Sequence, residues 1–173
     1  VGKYTQNGDS YKSIAEALIH AGGANDAKVE IRWIESQTLE SSIDPATLLG
    51  DVDGVIIAPG FGDRGIEGKI RAMQYVRANG IPLLGICLGM QMAVIEYALN
   101  VCGLEGANTT EVLEDAPYPV ICVMPDQTKI QSKGGTMRLG SYPCNITAGT
   151  LAHQLYGATR IEERHRHRFE VNN

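Results

Sequence analysis

Three things are scarce in this sequence of 173 residues: long apolar runs, clustered cysteines and surplus positive charge. No uninterrupted apolar stretch approaches the ~20 residues that a bilayer span requires, so no membrane span is expected. The formal net charge of −5 argues against a general nucleic-acid binder, because phosphate recognition needs a basic surplus on at least one face. Four cysteines, Cys87, Cys102, Cys122 and Cys144, form no C-x-x-C pair, and no secretory apolar segment opens the chain. That pattern predicts a reduced, cytoplasmic protein with neither a zinc site nor a disulfide framework. There is no G-x-x-x-x-G-K-[ST], so no ATP-cradling P-loop is expected. Internal repeats and low-complexity tracts are missing too. What remains is an ordinary soluble composition, 43% apolar and 20% charged, long enough for one domain with a sizeable core.

Strands and helices alternate along the chain. Residues 9–21 place Ile14, Leu18 and Ala21 at helical spacing behind Asp9 or Ser10 as a cap, with Gly22 and Gly23 as the stop. Residues 28–34 alternate Val29, Ile31 and Trp33 with charged neighbours, as a half-buried strand does. The apolar run 53–58 suits a buried parallel strand, broken by the P-G-F-G of residues 59–62. A helix over 65–78 follows, with Ile66, Ile70, Met73 and Val76 on one face. Then come a buried strand over 81–86 and a helix over 88–100, whose expected apolar face is Met90, Val94, Tyr97 and Ala98. Beyond these, 120–124 reads as a strand, 134–146 as glycine-punctuated and hairpin-like, and 148–156 as a short helix. Consecutive strand-loop-helix units imply an α/β fold: a three-layer sandwich, its mostly parallel sheet covered by helices on both faces.

Sites in such sheets form at the carboxyl ends of strands. Two loops occupy such ends, P-G-F-G at 59–62 and the segment G-I-C-L-G-M-Q at 85–91. In G-x-C-x-G the spacing matches the nucleophile elbow of hydrolases, with sulfur in place of oxygen. A thiol at a helix start also meets unpaired N–H groups and the positive end of the helix dipole, which favour the thiolate. Cys87 is thus the candidate nucleophile. Gly60 and Leu88 are candidate donors, through their N–H groups, to a developing oxyanion. Without those flanks Cys87 would read as a small buried hydrophobe. Glu111 would read as a solvated acid and the R-H-R-H-R run of 164–168 as a charged edge. On an extended strand, Arg164, Arg166 and Arg168 share one face, and His165 and His167 the other.

The segments A-P-G-F-G-D-R-G-I-E-G-K-I, G-I-C-L-G-M-Q, G-A-N-T-T-E, G-G-T-M-R-L-G and E-R-H-R-H-R-F-E-V-N-N, in this order, resemble the class I (cysteine-triad) glutamine amidotransferase, or glutaminase, domain of the CTP synthase family. The similarity spans essentially the whole chain and implies a flavodoxin-like α/β fold. It also implies a reaction in which the cysteine attacks the side-chain amide of L-glutamine, ammonia leaves, and water hydrolyses the glutamyl thioester. By this resemblance Cys87 is the nucleophile. Gly60, Leu88, Gly89, Met90 and Gln91 line the glutamine and oxyanion site, and Glu111 and Arg168 bind glutamine. One acid and one base suit a substrate carrying an ammonium and a carboxylate, and a guanidinium can hold the latter through two parallel N–H groups.

The same resemblance implies partners: a synthetase domain in the same polypeptide that uses the ammonia to aminate ATP-activated UTP, and further copies of the chain in a homo-oligomer. ATP and magnesium are expected only in the synthetase domain, and no cofactor in this one. The family's base and its orienting acid lie in a His-Pro-Glu motif beyond the equivalent of Asn173. Residues 1–173 are therefore expected to be a single amidotransferase domain truncated at both ends, releasing little ammonia by itself. A different class of reading stays open, a non-catalytic module that keeps the fold and binds partners.

Overall fold

In the computed structural model, residues 1–123 and 138–172 are described. They fall into two compact units, Val1–Cys122 with Val171–Asn173, and Val123–Glu170. The first begins with helix α1 (Lys12–Ala24), a 3-10 turn (Ser36–Glu40) and α2 (Pro45–Leu49). There follow β1 (Val55–Ile57), α3 (Ile66–Ala78), β2 (Leu83–Gly85), α4 (Leu88–Asn100), β3 (Ala107–Thr109) and β4 (Tyr118–Val123). β1 and β2 pair in parallel, Val55 with Leu83 through Ile57 with Gly85, and α3 is the crossover between them. β3 and β4 are also parallel, with a register shift between Asn108 and Thr109. The α/β class is as expected, and so are the placements of α3, α4 and β1.

α3 follows its sequence pattern closely. Ile66, Ile70, Met73 and Val76 are all buried, and the helix ends at Asn79 ahead of Gly80, whose φ is +65°. The helix packs on the 3-10 turn, α2 and α4. Gly68 permits the first of these contacts, since a Cβ there would lie 1.8 Å from the Ser36 carbonyl oxygen. Leu39, Leu49, Ile57, Met73, Met92, Ile95 and Ile121 complete a core in which each side chain is essentially inaccessible and contributes roughly 1.5–3 kcal/mol.

Several expectations need correction. α1 starts at Lys12 behind Tyr11, with no side-chain cap, and runs through Gly22 and Gly23. Gly22 serves close packing instead of termination, because a Cβ there would lie 2.6 Å from the Ala27 carbonyl oxygen. Residues 28–34 form no ladder. Gly2 donates to Ile34 O and accepts from Ser36 N, and Trp33 stays partly exposed, stacked on Tyr11 at 6.0 Å. β2 is not buried: among the described residues it pairs only with β1, which leaves Leu84 56% exposed. On α4 the buried face is Leu88, Gly89, Gln91, Met92, Ile95, Glu96 and Ala98, so Met90 and Tyr97 point outward. That helix is apolar nearly all round, and its phase is set by Glu96, which turns inward to take a two-pronged ion pair from Arg77 of α3 at 2.7–3.1 Å.

The second unit is built on an antiparallel pair, β5 (Arg138–Asn145) and β6 (Arg160–His167), joined through α5 (Leu151–Tyr156), which Thr150 caps through its hydroxyl. Of the hairpin-like stretch expected over 134–146, the described part holds a single strand, β5, of this wider pair, and residues 124–137 lie outside the described part. β6 alternates half-buried Ile161, Glu163, His165 and His167 with exposed Arg164 and Arg166. His165 packs edge-on against Tyr142 and beside His167. A bend at Arg168 leads into β7 (Phe169–Val171). The first unit resumes at Val171, and Asn172 then donates to Val120 O and Pro119 O.

Candidate active site

Cys87 is the N-cap residue of α4, directly beyond the β2 end, with φ +54° and ψ −111°. L-residues rarely take that conformation, which costs of order 1–3 kcal/mol and persists only where the surroundings enforce it. Here the two glycines of G-x-C-x-G enforce it. A Cβ on Gly89 would lie 2.1 Å from the Ile57 carbonyl oxygen, and one on Gly85 would lie 2.7 Å from the backbone of Gly89 and Met90. The same Ile57 oxygen accepts the Ile86 N–H at 3.0 Å, and Gly89 N–H closes on Ile86 O at 2.9 Å. Strand end and helix start therefore touch backbone to backbone, and the half-buried Cys87 is turned out at the vertex.

Gly60 is buried against the same helix start, its Cβ position 3.5 Å from Leu88 Cδ2 and 3.0 Å from Lys3 Cδ. Glu111, just after β3, is exposed but not merely solvated. Its Oε1 accepts the Gly62 N–H at 3.2 Å, which ties the acid to the glycine loop that follows β1. The structure thus gathers Gly60, Leu88 and Gly89 around Cys87 and anchors Glu111 to the same loop. Gln91 is buried and donates its N–H to Cys87 O at 3.2 Å, while Met90 is 40% exposed. Arg168 belongs to the second unit, where it leaves the β6 alternation. β6 ends at His167, so the continuous extended run that would put Arg168 on one face with Arg164 and Arg166 stops one residue short of it. His20 is exposed on α1, and His153 is half-buried, its Nδ1 accepting the Gly149 N–H.

Sequence reasoning missed two lysines beneath this site. Lys3 and Lys69 are 2% and 0% exposed. Lys3 Nζ donates to Phe61 O at 2.8 Å and to Gly62 O; Lys69 Nζ donates to Ala58 O at 2.6 Å. A signal existed for Lys69, which falls at i+3 from Ile66 and i−4 from Met73, inside the buried stripe of α3. Burial, reinforced by the Lys3 charge, lowers Lys69 to about 8, while negative charge at Cys87 and Glu35 acts the other way.

The native state therefore binds the Lys69 proton less tightly than the unfolded chain does. The contribution of Lys69 to stability rises with pH between about 8 and 10.5 and is flat below that window, where the group is protonated in both states. Lys69→Met should remove this slope. Near pH 7 it should leave the domain no less stable, since the lifted desolvation, on the order of 3 kcal/mol, is set against about 1–3 kcal/mol for the Ala58 carbonyl left unpaired. Denaturation midpoints of both proteins at pH 7 and 10 check this, and parallel pH profiles would contradict it.

Among the described residues no group of three or more His, Cys, Asp or Glu is placed to hold a metal ion, and no helix is long and apolar enough to cross a membrane. Comparison with known proteins adds to this geometry. The chain is 57% identical over 177 residues to a CTP synthase of Methanocaldococcus jannaschii, covering 99% of this chain and 33% of that protein. It is 56% identical to a CTP synthase of Cytophaga hutchinsonii, covering 100% of this chain and 32% of that protein. It therefore spans about a third of the length of these relatives. Among solved structures it is similar to the glutaminase domain of the Trypanosoma brucei enzyme with bound acivicin, with a TM-score of 0.89 and 35% identity, over 99% of this chain and 66% of that one. Residues 8–173 match the family model for class-I glutamine amidotransferases, the family to which this chain belongs.

Proposed function

We propose that this chain is the glutaminase domain of a CTP synthase. In this reading Cys87 Sγ attacks the side-chain carboxamide carbon of L-glutamine. The Gly60 and Leu88 N–H groups receive the oxyanion, ammonia departs, and water hydrolyses the thioester to glutamate. Leu88, Gly89, Met90 and Gln91 shape the pocket wall, Glu111 takes the substrate ammonium and Arg168 its carboxylate. The ammonia feeds a synthetase domain of the same polypeptide, which aminates ATP-activated UTP to CTP and works as a homo-oligomer in the cytoplasm. ATP and magnesium belong to that domain and no cofactor to this one. The observation that carries the reading is the strained elbow at Cys87, packed against a glycine loop to which a carboxylate is tied.

The test uses acivicin, the molecule bound in the trypanosomal structure. Incubation should add one equivalent, located on Cys87 by peptide mass spectrometry, and excess L-glutamine should slow the addition at least tenfold. Labelling of Cys102 or Cys144 instead, both of which are exposed, or indifference to glutamine, would overturn the proposal.

A further inference from the structure

The loop that follows β1 is held from behind. Ala58 O accepts from Lys69 Nζ, Pro59 O from the Tyr11 hydroxyl at 3.1 Å, and Phe61 O and Gly62 O both accept from Lys3 Nζ. Four carbonyls in a run of five residues thus point at buried side chains of the scaffold. A trans peptide is planar, with its C=O and N–H opposed, so each anchored carbonyl sends the next N–H the other way. The Pro59 anchor turns out the Gly60 N–H, the Phe61 anchor that of Gly62, and the Gly62 anchor that of Asp63. The Ala58 anchor costs no donor, because Pro59 has no N–H. One of these orientations is directly visible, since Gly62 N–H meets a carboxylate, Glu111 Oε1.

Lys3 is the centre of this arrangement. Its own N–H donates to the Tyr11 hydroxyl at 3.0 Å, so the residue that anchors Phe61 and Gly62 also fixes the group that anchors Pro59. Its stem lies under Gly60, where any Cβ would press on Lys3 Cδ at 3.0 Å. A carbonyl facing the reacting centre would repel a developing oxyanion, whereas an N–H stabilises it.

We infer that Lys3 is a positioning residue of the glutaminase reaction: from beneath the loop, with Tyr11, it turns the backbone N–H groups of Gly60, Gly62 and Asp63 toward the front face, so that the oxyanion donors are set before substrate arrives. The inference rests on the proposed reaction and goes beyond it by assigning the loop's orientation to side chains that never touch glutamine.

The experiment compares two reactions of Cys87 in the complete polypeptide carrying this domain. Glutamine hydrolysis passes through an oxyanion; alkylation by iodoacetamide, a displacement at carbon, does not. In Lys3→Met, kcat for ammonia release should fall 10- to 100-fold with KM for glutamine within threefold, while the Cys87 alkylation rate stays within threefold. Tyr11→Phe, which deletes a single oxygen and keeps the ring stacked on Trp33, should lower kcat three- to tenfold with alkylation equally preserved. It supplies the decisive comparison if Lys3→Met does not fold. Alkylation and hydrolysis falling together in Tyr11→Phe, or kcat unchanged in both variants, overturns the positioning role while leaving the glutaminase reading intact. An unaltered polypeptide that releases no ammonia from glutamine overturns that reading and the positioning role with it.

Discussion

Cys87→Gly should abolish glutamine hydrolysis, by at least ~10³-fold, and at the same time make the domain more stable by about 1 kcal/mol. The loss follows from removing the sulfur that attacks glutamine in the proposed reaction. The gain follows from the backbone. At φ +54° and ψ −111° a Cβ costs of order 1–3 kcal/mol, part of which glycine forfeits through its larger unfolded-state entropy. Cys87→Ala separates the two effects, because it lacks the sulfur but keeps the Cβ. It should be as inactive as the glycine variant with no comparable stabilisation. Denaturation of this domain in the three proteins, alongside ammonia release, checks the prediction; equal stability of the glycine and alanine variants would show that no strain is stored at the elbow. Such opposition between activity and stability is expected where a site holds its nucleophile in an unfavourable conformation.

Gly89→Ala should destabilise the domain by roughly 3 kcal/mol or more, although alanine in a helix interior normally gains up to about 1 kcal/mol over glycine. The reversal comes from the Ile57 carbonyl oxygen, 2.1 Å from where the new Cβ would sit. Backbone on both sides of the contact cannot rotate aside as a side chain can, so α4 must lift from β1. Gly23→Ala is the internal comparison. Gly23 also lies within a helix, but a Cβ there meets nothing within 4 Å, and that variant should melt higher. Thermal shifts of opposite sign in the two variants are the expected result, and a stabilised Gly89→Ala would refute the close-packed elbow.

The legible parts of this fold were those whose physics is local. In α3, Ile66, Ile70, Met73 and Val76 repeat at helical spacing ahead of Asn79 and Gly80, and periodicity and stop signal agree. G-x-C-x-G was legible for a similar reason, because strand, glycine and thiol lie within a few residues of one another. α4 was misphased since its apolar residues lie on every side and its inward-facing polar residue, Glu96, is paired with a partner 19 residues away. Residues 28–34 carry the alternation of a strand, but a ladder also needs a partner, and among the described residues the backbone bond shown there is the one from Gly2 N–H to Ile34 O. Lys3 was invisible because a lysine between glycine and tyrosine reads as a surface charge. Its burial follows entirely from carbonyls near residue 60. Glu111 was recognised through resemblance alone, and its bond to Gly62 spans 49 residues.

The span of the Lys3 hydrogen bonds bears on how the domain folds. They close loops of 58 and 59 residues, whereas the turn that carries the half-buried Cys87 closes between Ile86 and Gly89. Short closures cost little chain entropy and form early; long ones wait for the rest of the structure to bring their ends together. Along the folding route the turn at Cys87, including its bond from Ile86 N–H to Ile57 O, thus closes over shorter loops than the Lys3 anchors of the glycine loop beside it. A partly folded domain in which the turn has closed and the Lys3 bonds have not is therefore expected to hold Cys87 beside a loop whose Phe61 and Gly62 carbonyls are still unanchored.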